Sequence, residues 1–579
     1  MTRIAVVDKS KCSPVRCGDY LCIRLCPVNR TGTDCILKDD EGKIRIIEET
    51  CTGCGICVNR CPFEAISIVN LPAELDKPPI HRYGENGFAL YNLPAPIFGK
   101  VVGIIGRNGI GKSTAMKILA GALKPNLGRE DDAKPEEIIE YFKGTEAHLF
   151  FEKINKKEIS LSYKPQQVDL IPRHFKGTVD ELLTKADEKG EKEKIIEVLE
   201  LGKILETDVT KISGGELQRL AIAACVLKKA NVYFFDEPTS YLDIKQRLKI
   251  SKFIRELADE KTAVLVVEHD LIILDYMSDL VHIMYGKEGT YGVVSMVKST
   301  KAGINTYLSG FLREENVRFR DYKIEFNERP PEESSEGALL ASWDKIDEKL
   351  GRFTLVAEPG EIRRKDVVGI LGENGIGKTT FVKILAGEIK TKGSLADLKI
   401  SYKPQYIEQD DKPVASLLAN AEKYDVAFRH LNLKPLMEKS LSELSGGELQ
   451  RVVCASALSK EADLFLMDEP SAYLDVEQRL AMSKIIREIM TQRGKACLVV
   501  DHDLLFIDYL SKKLIVFDGV PAEFGDVKGP FAMQEGMNHF LHDLGITFRR
   551  DEENRRPRAN KKDSQMDNKQ KAEGKLYYS

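Results

Sequence analysis

One set of motifs occurs twice in this chain, in the same order and at nearly the same spacing, and that duplication limits the fold more than any other feature. The first copy reads GRNGIGKST at 106–114, KPQ at 164–166, SGGELQR at 213–219, VYFFDEP at 232–238, SYLD at 240–243 and VVEHD at 266–270. The second reads GENGIGKTT at 372–380, KPQ at 403–405, SGGELQR at 445–451, LFLMDEP at 464–470, AYLD at 472–475 and VVDHD at 499–503. Ser213 to Asp236 and Ser445 to Asp468 are both 23 residues apart, and Asp236 to His269 spans 33 against 34 for Asp468 to His502. Two units of one architecture are expected. One interval differs: Lys112 to Gln166 is 54 residues but Lys378 to Gln405 is 27. The surplus, PEEIIEYFKGTEAHLFFEKINKKE at 135–158, has helical spacing on both sides of Gly144, so a helix–loop–helix insertion at about 130–158 is expected in the first unit only.

Each GxxxxGK[ST] run follows an apolar strand, VVGIIG at 101–106 or VVGILG at 367–372. Such a loop turns backbone N–H groups toward phosphate oxygens and feeds them a helix N-terminus. The expected cradle is Gly106, Asn108, Gly109, Gly111, Lys112, Ser113 and Thr114 in the first copy. In the second it is Gly372, Asn374, Gly375, Gly377, Lys378, Thr379 and Thr380. Lys112 and Lys378 should span the β- and γ-phosphates, and Ser113 and Thr379 should hold Mg²⁺. VYFFDEP and LFLMDEP are apolar strands ending in carboxylates, so Asp236 and Asp468 are the expected Mg²⁺ holders. Glu237 and Glu469 are placed to polarise the attacking water, with His269 and His502 beside the γ-phosphate and Gln166 and Gln405 sensing Mg²⁺ and water. Tyr83 and Phe88 upstream of the first loop, and Phe353 upstream of the second, offer faces for adenine.

SGGELQR resembles the signature of the ATP-binding-cassette (ABC) family. That resemblance implies two composite ATP sites, each sandwiched between one unit's phosphate loop and the other unit's signature. Site one would pair Lys112, Ser113 and Glu237 with Ser445, Gly446, Gly447 and Glu448. Site two would pair Lys378, Thr379 and Glu469 with Ser213, Gly214, Gly215 and Glu216, with Asp243 and Asp475 at the seam. Both sites keep every catalytic residue type, so two hydrolytic sites using ATP and Mg²⁺ are expected.

Nine of the twelve cysteines lie within the first 61 residues. Cys51, Cys54, Cys57 and Cys61, followed by proline, have the form of a bacterial-type ferredoxin with two [4Fe–4S] clusters, in which the fourth cysteine ligates the other cluster. Applied here, Cys51, Cys54 and Cys57 join Cys26, while Cys12, Cys17 and Cys22 join Cys61, leaving Cys35 outside both sets. The loops among Cys12, Cys17, Cys22 and Cys26 are longer than the usual ferredoxin pattern, and zinc is the rival metal for CxxC spacing.

With 30% charged and 42% hydrophobic residues and a formal net charge of −4, the chain has an ordinary globular composition, and nucleic-acid contact would need local basic patches. No run of eighteen apolar residues and no signal-peptide pattern is present, so a cytoplasmic protein without a membrane span is expected. GINTYLSGFLREENVRFR at 303–320 is echoed by GMNHFLHDLGITFRR at 536–550, and the latter runs into DEENRRPRANKK. These read as paired hinges, the second continuing into a basic extended tail. Residues 321–350, rich in Glu and Ser, read as a linker or edge segment.

The fold class expected is multidomain α/β: a ferredoxin-like iron–sulfur domain (1–72), a first ABC ATPase domain (73–302), a hinge and linker (303–340), a second ABC domain (341–535) and a C-terminal hinge and tail (536–579). That order, with HRYGENGF, the DEPxxYLDxxQR extensions at 236–247 and 468–479 and NKKDSQMD at 560–567, resembles ABC subfamily E, the RNase L inhibitor family of ribosome-recycling ATPases, in its archaeal form. The resemblance implies a monomer that binds the ribosome, mainly the small subunit and its rRNA, beside a release factor or its stalled-ribosome counterpart, with initiation factors as further partners. It also implies that ATP-driven closure moves the iron–sulfur domain and splits the subunits. Within it the insertion and hinges are expected as small-subunit contacts, with Arg549, Arg550, Arg555, Arg556 and Arg558 facing RNA. The rival readings are a ribosome-bound translation regulator that does not split subunits, an ATP-coupled electron-transfer protein and a transporter subunit.

Overall fold

The computed structural model describes residues 3–70, 78–145, 147–326, 337–389, 398–405, 410–419 and 428–577. In the first ATPase unit the hydrogen-bonded strand order is His81–Arg82, Ala89–Tyr91, Tyr291–Val294, Leu280–Lys287, Val101–Ile105, Ala263–Val267, Val232–Asp236 and Leu161–Lys164. The second unit repeats it with Ile346–Leu350, Phe353–Ala357, Phe524–Ala532, Lys513–Val520, Val367–Leu371, Ala496–Val500, Leu464–Asp468 and Ile400–Lys403. The central strands are parallel and buried throughout, as continuous Val/Ile/Leu/Phe runs covered on both faces must be. Parallel alignment brings the carboxyl ends of 101–105, 232–236 and 263–267 to one edge. The phosphate loop, the Asp–Glu pair and the histidine therefore gather from three distant stretches of sequence.

The N-terminal domain is built from two small antiparallel pairs, Arg3–Val7 with Ile66–Asn70 and Ile36–Lys38 with Ile44–Ile46. It is pinned to the first ATPase unit by the HRYGENGF segment. Asn86 is buried with φ 58°. Its side chain donates to Ala5 O (3.1 Å) and Ile46 O (2.9 Å) and accepts from Ile46 N (2.7 Å). Arg82 closes the same joint on the Glu48 carboxylate at 2.6 Å.

In the surplus stretch, Pro135–Tyr141 and Ala147–Asn155 are helices that pack on each other. Phe142, Phe150 and Phe151 belong to the core cluster that includes Val102, Ile104 and Phe234. The insertion is therefore integrated into the first unit, with Leu149 left exposed.

The Glu- and Ser-rich linker lies in part outside the described residues; beyond that gap, Ile346–Leu350 is the edge strand of the second sheet. The C-terminal segment is not an extended tail. Phe548–Arg550 pairs antiparallel with Pro557–Ala559, and Gln565–Glu573 is a helix capped by the Ser564 hydroxyl. Two of the arginines expected to face RNA are instead structural. Arg556 is fully buried, with Nη2 3.1 Å from Asp275 Oδ2 on helix Leu271–Met277 of the first unit. Arg558 joins Asp275 at 2.6 Å and Asp551 at 3.2 Å. Their cost of desolvation is offset by Asp275, which receives both, with Asp551 and Leu271 O taking further donors. Arg549 and Arg555 are exposed and Arg550 is half-buried.

Candidate active site

Each phosphate loop opens a helix, Lys112–Leu119 or Lys378–Leu385, after a glycine in the left-handed region: Gly111 at φ 90° and Gly377 at φ 95°. A Cβ on Gly111 would lie 2.8 Å from Phe88 Cζ, and one on Gly377 would lie 2.7 Å from Phe353 Cζ. The two phenylalanines thus occupy equivalent positions against their loops, while Tyr83, half-exposed, places its hydroxyl 3.2 Å from Thr114 Oγ1. The Lys112 ammonium donates to Gly106 O (2.9 Å) and Arg107 O (2.6 Å), and Lys378 does the same to Gly372 O and Glu373 O.

The Asp–Glu pairs lie directly opposite. Thr379 Oγ1 donates to Asp468 Oδ2 at 2.7 Å. Asp236 Oδ1 is buried without a hydrogen-bond partner among the described residues, and burial lifts its carboxyl to about 6. A buried carboxylate oxygen without a partner, beside a loop hydroxyl, suits a divalent cation. Gln166 Nε2 donates to Glu237 Oε1 (2.6 Å), and Gln405 Nε2 to Glu469 Oε1 (2.7 Å). His269 Nε2 stands 3.2 Å from Glu237 Oε1 and His502 Nε2 stands 3.6 Å from Glu469 Oε1.

The two glutamates differ electrostatically. Burial alone would raise Glu237, but the His269 imidazole and the Lys112 ammonium hold it down at about 2. Burial, reinforced by Asp501 and Asp468, lifts Glu469 to about 7. The residue before each histidine is one source of the difference. Asp501 stands close enough to Glu469 to push it up, although burial raises Asp501 itself and lifts its counterpart Glu268, which bonds Thr239, to about 8.

Signature helices Gly214–Val226 and Gly446–Ser459 begin in capping boxes in which Ser213 and Ser445 donate to Glu216 (2.7 Å) and Glu448 (2.8 Å). Tyr241 and Tyr473, which sequence reasoning missed although both stand in the repeated YLD motif, cover these helix starts. A Cβ on Gly447 would lie 3.0 Å from Tyr473 O, tight enough that the tyrosine backbone would have to give way to any larger residue. The same tyrosine carbonyl accepts from Asn108 Nδ2 of the opposite phosphate loop at 3.3 Å, and Tyr241 O accepts from Asn374 Nδ2 at 3.4 Å. Asp475 accepts from Asn108 N (3.0 Å) and Asp243 from Asn374 N (2.9 Å). Each phosphate loop is thereby joined to the loop that packs on the other unit's signature.

The cysteines fall into two neighbourhoods. Cys22 is surrounded by Cys12, Cys17 and Cys61, and Cys57 by Cys51, Cys54 and Cys26. Burial pushes the Cys22 thiol to about 12 and the Cys57 thiol to about 11. Cys35 is buried next to Cys26 and Cys51. Among the described residues no three His, Cys, Asp or Glu side chains converge tightly enough to chelate one ion. Cys26, Cys51, Cys54 and Cys57 line one small cavity, with Cys35 also on its wall.

This fold and these sites define an ABC-type ATPase with two cassettes in one chain. Protein-family models for the ABC transporter match residues 98–240 and 359–472, for the possible Fer4-like domain of RNase L inhibitor 2–34, and for a 4Fe-4S binding domain 44–67. An uncharacterised ABC transporter ATP-binding protein of Methanocaldococcus jannaschii is 49% identical over 100% of this chain and 97% of its own length. ABC transporter E family member 1 of Arabidopsis thaliana is 44% identical over 100% of this chain and 99% of its own. The chain belongs to the ABC-E, or RNase L inhibitor, family. Among solved structures, a model of ribosome-bound archaeal Pelota and ABCE1 superposes with TM-score 0.93 at 51% identity, covering 100% of this chain and 99% of that one. The archaeal ribosome recycling factor aABCE1, solved with ribosomal stalk protein aP1, gives 0.83 at 49%, covering 88% and 100%. Among the described residues no helix is long and apolar enough to cross a membrane.

Proposed function

We propose that this chain uses ATP-driven closure of its two cassettes to move the iron–sulfur domain and split ribosomes into subunits after termination or rescue. The observation that carries this reading is the full-length likeness, TM-score 0.93, to the chain solved as ribosome-bound ABCE1 beside Pelota. A release factor or Pelota-type rescue factor is the partner in whose presence it acts, on the cytosolic small subunit and its rRNA. Initiation factors meet it afterwards.

ATP would lie between Lys112 and the 445–448 signature at site one, and between Lys378 and the 213–216 signature at site two, with Tyr83, Phe88 and Phe353 near adenine. Ser113, Asp236 and Gln166, and their counterparts Thr379, Asp468 and Gln405, would hold Mg²⁺. When bound, the ion neutralises charge on the phosphate oxygens. Glu237 or Glu469 accepts a proton from water as its oxygen attacks the γ-phosphorus and the bond to the ADP oxygen breaks. His269 and His502 steady that carboxylate, and Lys112 and Lys378 offset the charge on the leaving phosphates. Asp475 and Asp243 register nucleotide occupancy across the seam, because they hold the N–H groups of the opposite phosphate loops.

Cys12, Cys17, Cys22 and Cys61 would ligate one [4Fe–4S] cluster and Cys26, Cys51, Cys54 and Cys57 the other. In a domain with so few strands such ligation supplies folding energy and makes a rigid lever. The test is sucrose-gradient sedimentation of ribosomes with the full chain, ATP and a release or rescue factor. Conversion of whole ribosomes to subunits is expected; stable binding without conversion would favour a translation regulator that does not split.

A further inference from the structure

Each catalytic glutamate sits on strained backbone, and each is held from behind by a buried ammonium. Glu237 and Glu469 both have φ of 48°, the left-handed region, which non-glycine residues keep only when surrounding contacts over-determine it. Lys164 and Lys403, each only 1% exposed, stand at the ends of the neighbouring strands. Lys164 Nζ donates to Asp236 O at 2.9 Å and Glu237 O at 3.2 Å. Lys403 Nζ donates to Asp468 O at 2.7 Å and Glu469 O at 3.2 Å. A second donor reaches the glutamate carbonyl in each unit, Gln218 Nε2 to Glu237 O and Gln450 Nε2 to Glu469 O, both at 2.6 Å. The glutamate N–H groups are tied to Val267 O (3.0 Å) and Val500 O (2.8 Å). The same construction therefore occurs twice in one chain, built from different stretches of sequence.

We propose that Lys164 and Lys403 are positioning residues for ATP hydrolysis: each clips the carbonyls of its own Asp–Glu pair and so aims the glutamate carboxylate at Gln166 or Gln405. The inference rests on reading Glu237 and Glu469 as the groups that accept the water proton. The left-handed turn presents two successive carbonyls to one buried place, where unpaired carbonyls are costly. A lysine ammonium supplies several donors from one atom; methionine fills similar space and supplies none. The lysine also lies two residues before the glutamine, so a single strand end grips the pair from behind with Lys164 and from the front with Gln166. Movement of that strand end on nucleotide binding would move the glutamate with it.

The test is steady-state ATPase kinetics on the full cluster-loaded chain, carrying Lys403→Met alone and together with Glu469→Gln. Lys403→Met in the otherwise natural chain is expected to lower kcat at site two at least fivefold, with KM for ATP and ATP affinity within threefold of the parent. In the Glu469→Gln background the lysine change is expected to lower turnover by less than twofold, because the group it positions is already gone. Lys164→Met in that same background is expected to reduce the remaining turnover at least fivefold. Gln450→Met, which removes the other donor to the same carbonyl, is run in parallel and should show the same dependence on background, so the comparison does not hang on one variant's folding. An equal fold-loss from Lys403→Met in both backgrounds, or no loss in either, overturns the proposal. Full activity of Glu469→Gln and Glu237→Gln themselves would instead remove the reading on which it rests.

Discussion

Asp475 in the second cassette accepts a hydrogen bond from the backbone N–H of Asn108, 367 residues earlier, at 3.0 Å, and Asp243 does the same for Asn374 at 2.9 Å. The same carboxylates cap helices, through Gln478 N and Gln246 N, both at 2.9 Å. One side chain thus fixes a helix start in its own unit and an N–H of the opposite phosphate loop. Asp475→Ala with Asp243→Ala should lose the closed form in ATP, read as the distance between fluorophores on the two cassettes, and lower ATPase turnover. Cap loss itself costs about 1 kcal/mol per helix. Asp→Ser, which retains a capping oxygen but is shorter, separates the roles: it should recover thermal stability and not closure. Normal closure in the alanine pair would show that the seam is held elsewhere.

Glu237→Gln and Glu469→Gln should keep ATP binding and lower turnover at the altered site by on the order of a hundredfold, the scale of general-base catalysis. Nucleotide should then be trapped between closed cassettes. Filter retention of labelled ATP measures the trapping and phosphate release the turnover. Undiminished phosphate release from the double variant would mean that another group accepts the water proton.

Much of this site is legible in the sequence because it depends on short motifs at fixed intervals. Lys112, Asp236, Glu237 and His269 stand in runs whose residue types and spacing hardly admit another chemistry, and the duplication supplies an internal control. What stays hidden depends on side chains whose types carry several meanings. Arg556 and Arg558 read as RNA contacts in a basic run, but burial of one and pairing of both with Asp275 depend on a partner some 280 residues away. Lys164 belongs to the repeated KPQ motif, yet nothing in a lysine's identity says that it is 1% exposed. Tyr473 is equally plain in its motif, and its work is done by a backbone carbonyl, which no residue type encodes.

The two thiol neighbourhoods make distinct demands on Cys54 and Cys35. Cys54→Ser removes a member of the set around Cys57, and iron content and visible charge-transfer absorbance should fall by about half or more, with loss of order in the N-terminal domain. Cys35→Ser, next to Cys26 and Cys51 but outside both sets, should retain the iron of the parent. Anaerobic iron and sulfide analysis decides both. Full iron in Cys54→Ser, or half in Cys35→Ser, would reverse the ligand assignment.

Arg556 and Asp275 join the C-terminal hairpin to the first cassette, in a place from which solvent is excluded: Arg556 is 0% exposed. Removing one partner of a buried ion pair strands the other, at about 3–5 kcal/mol. Asp275→Asn should therefore lower the thermal midpoint clearly, whereas Arg549→Ala, at an exposed position on the same hairpin, should barely move it. Ribosome cosedimentation at moderate salt gives the converse reading. Arg549→Ala should weaken binding if the hairpin's outer face meets rRNA phosphates, and equal stability losses in the two variants would contradict the burial argument.

His282 offers an acid-stability test away from the nucleotide sites. It lies in strand Leu280–Lys287, with Nδ1 2.8 Å from Ser295 O and Nε2 accepting from Ala95 N at 3.3 Å. These bonds require the neutral ring, and burial pulls its pKa from 6.5 down to about 4. Above pH 6.5 the folded and unfolded chains both carry a neutral ring, so this site's stabilising contribution is fully present. Between 6.5 and about 4 the unfolded chain takes a proton that the folded chain refuses, and stability falls with pH. At about 1.4 kcal/mol per unit the loss approaches ~3 kcal/mol at the bottom of that window. His282→Gln, which can keep one donor and one acceptor, should be less stable than the parent near neutrality and lose less on acidification. The thermal midpoints of the two proteins should converge as pH falls toward 4. Parallel pH profiles would show that His282 does not carry the proton uptake assigned to it.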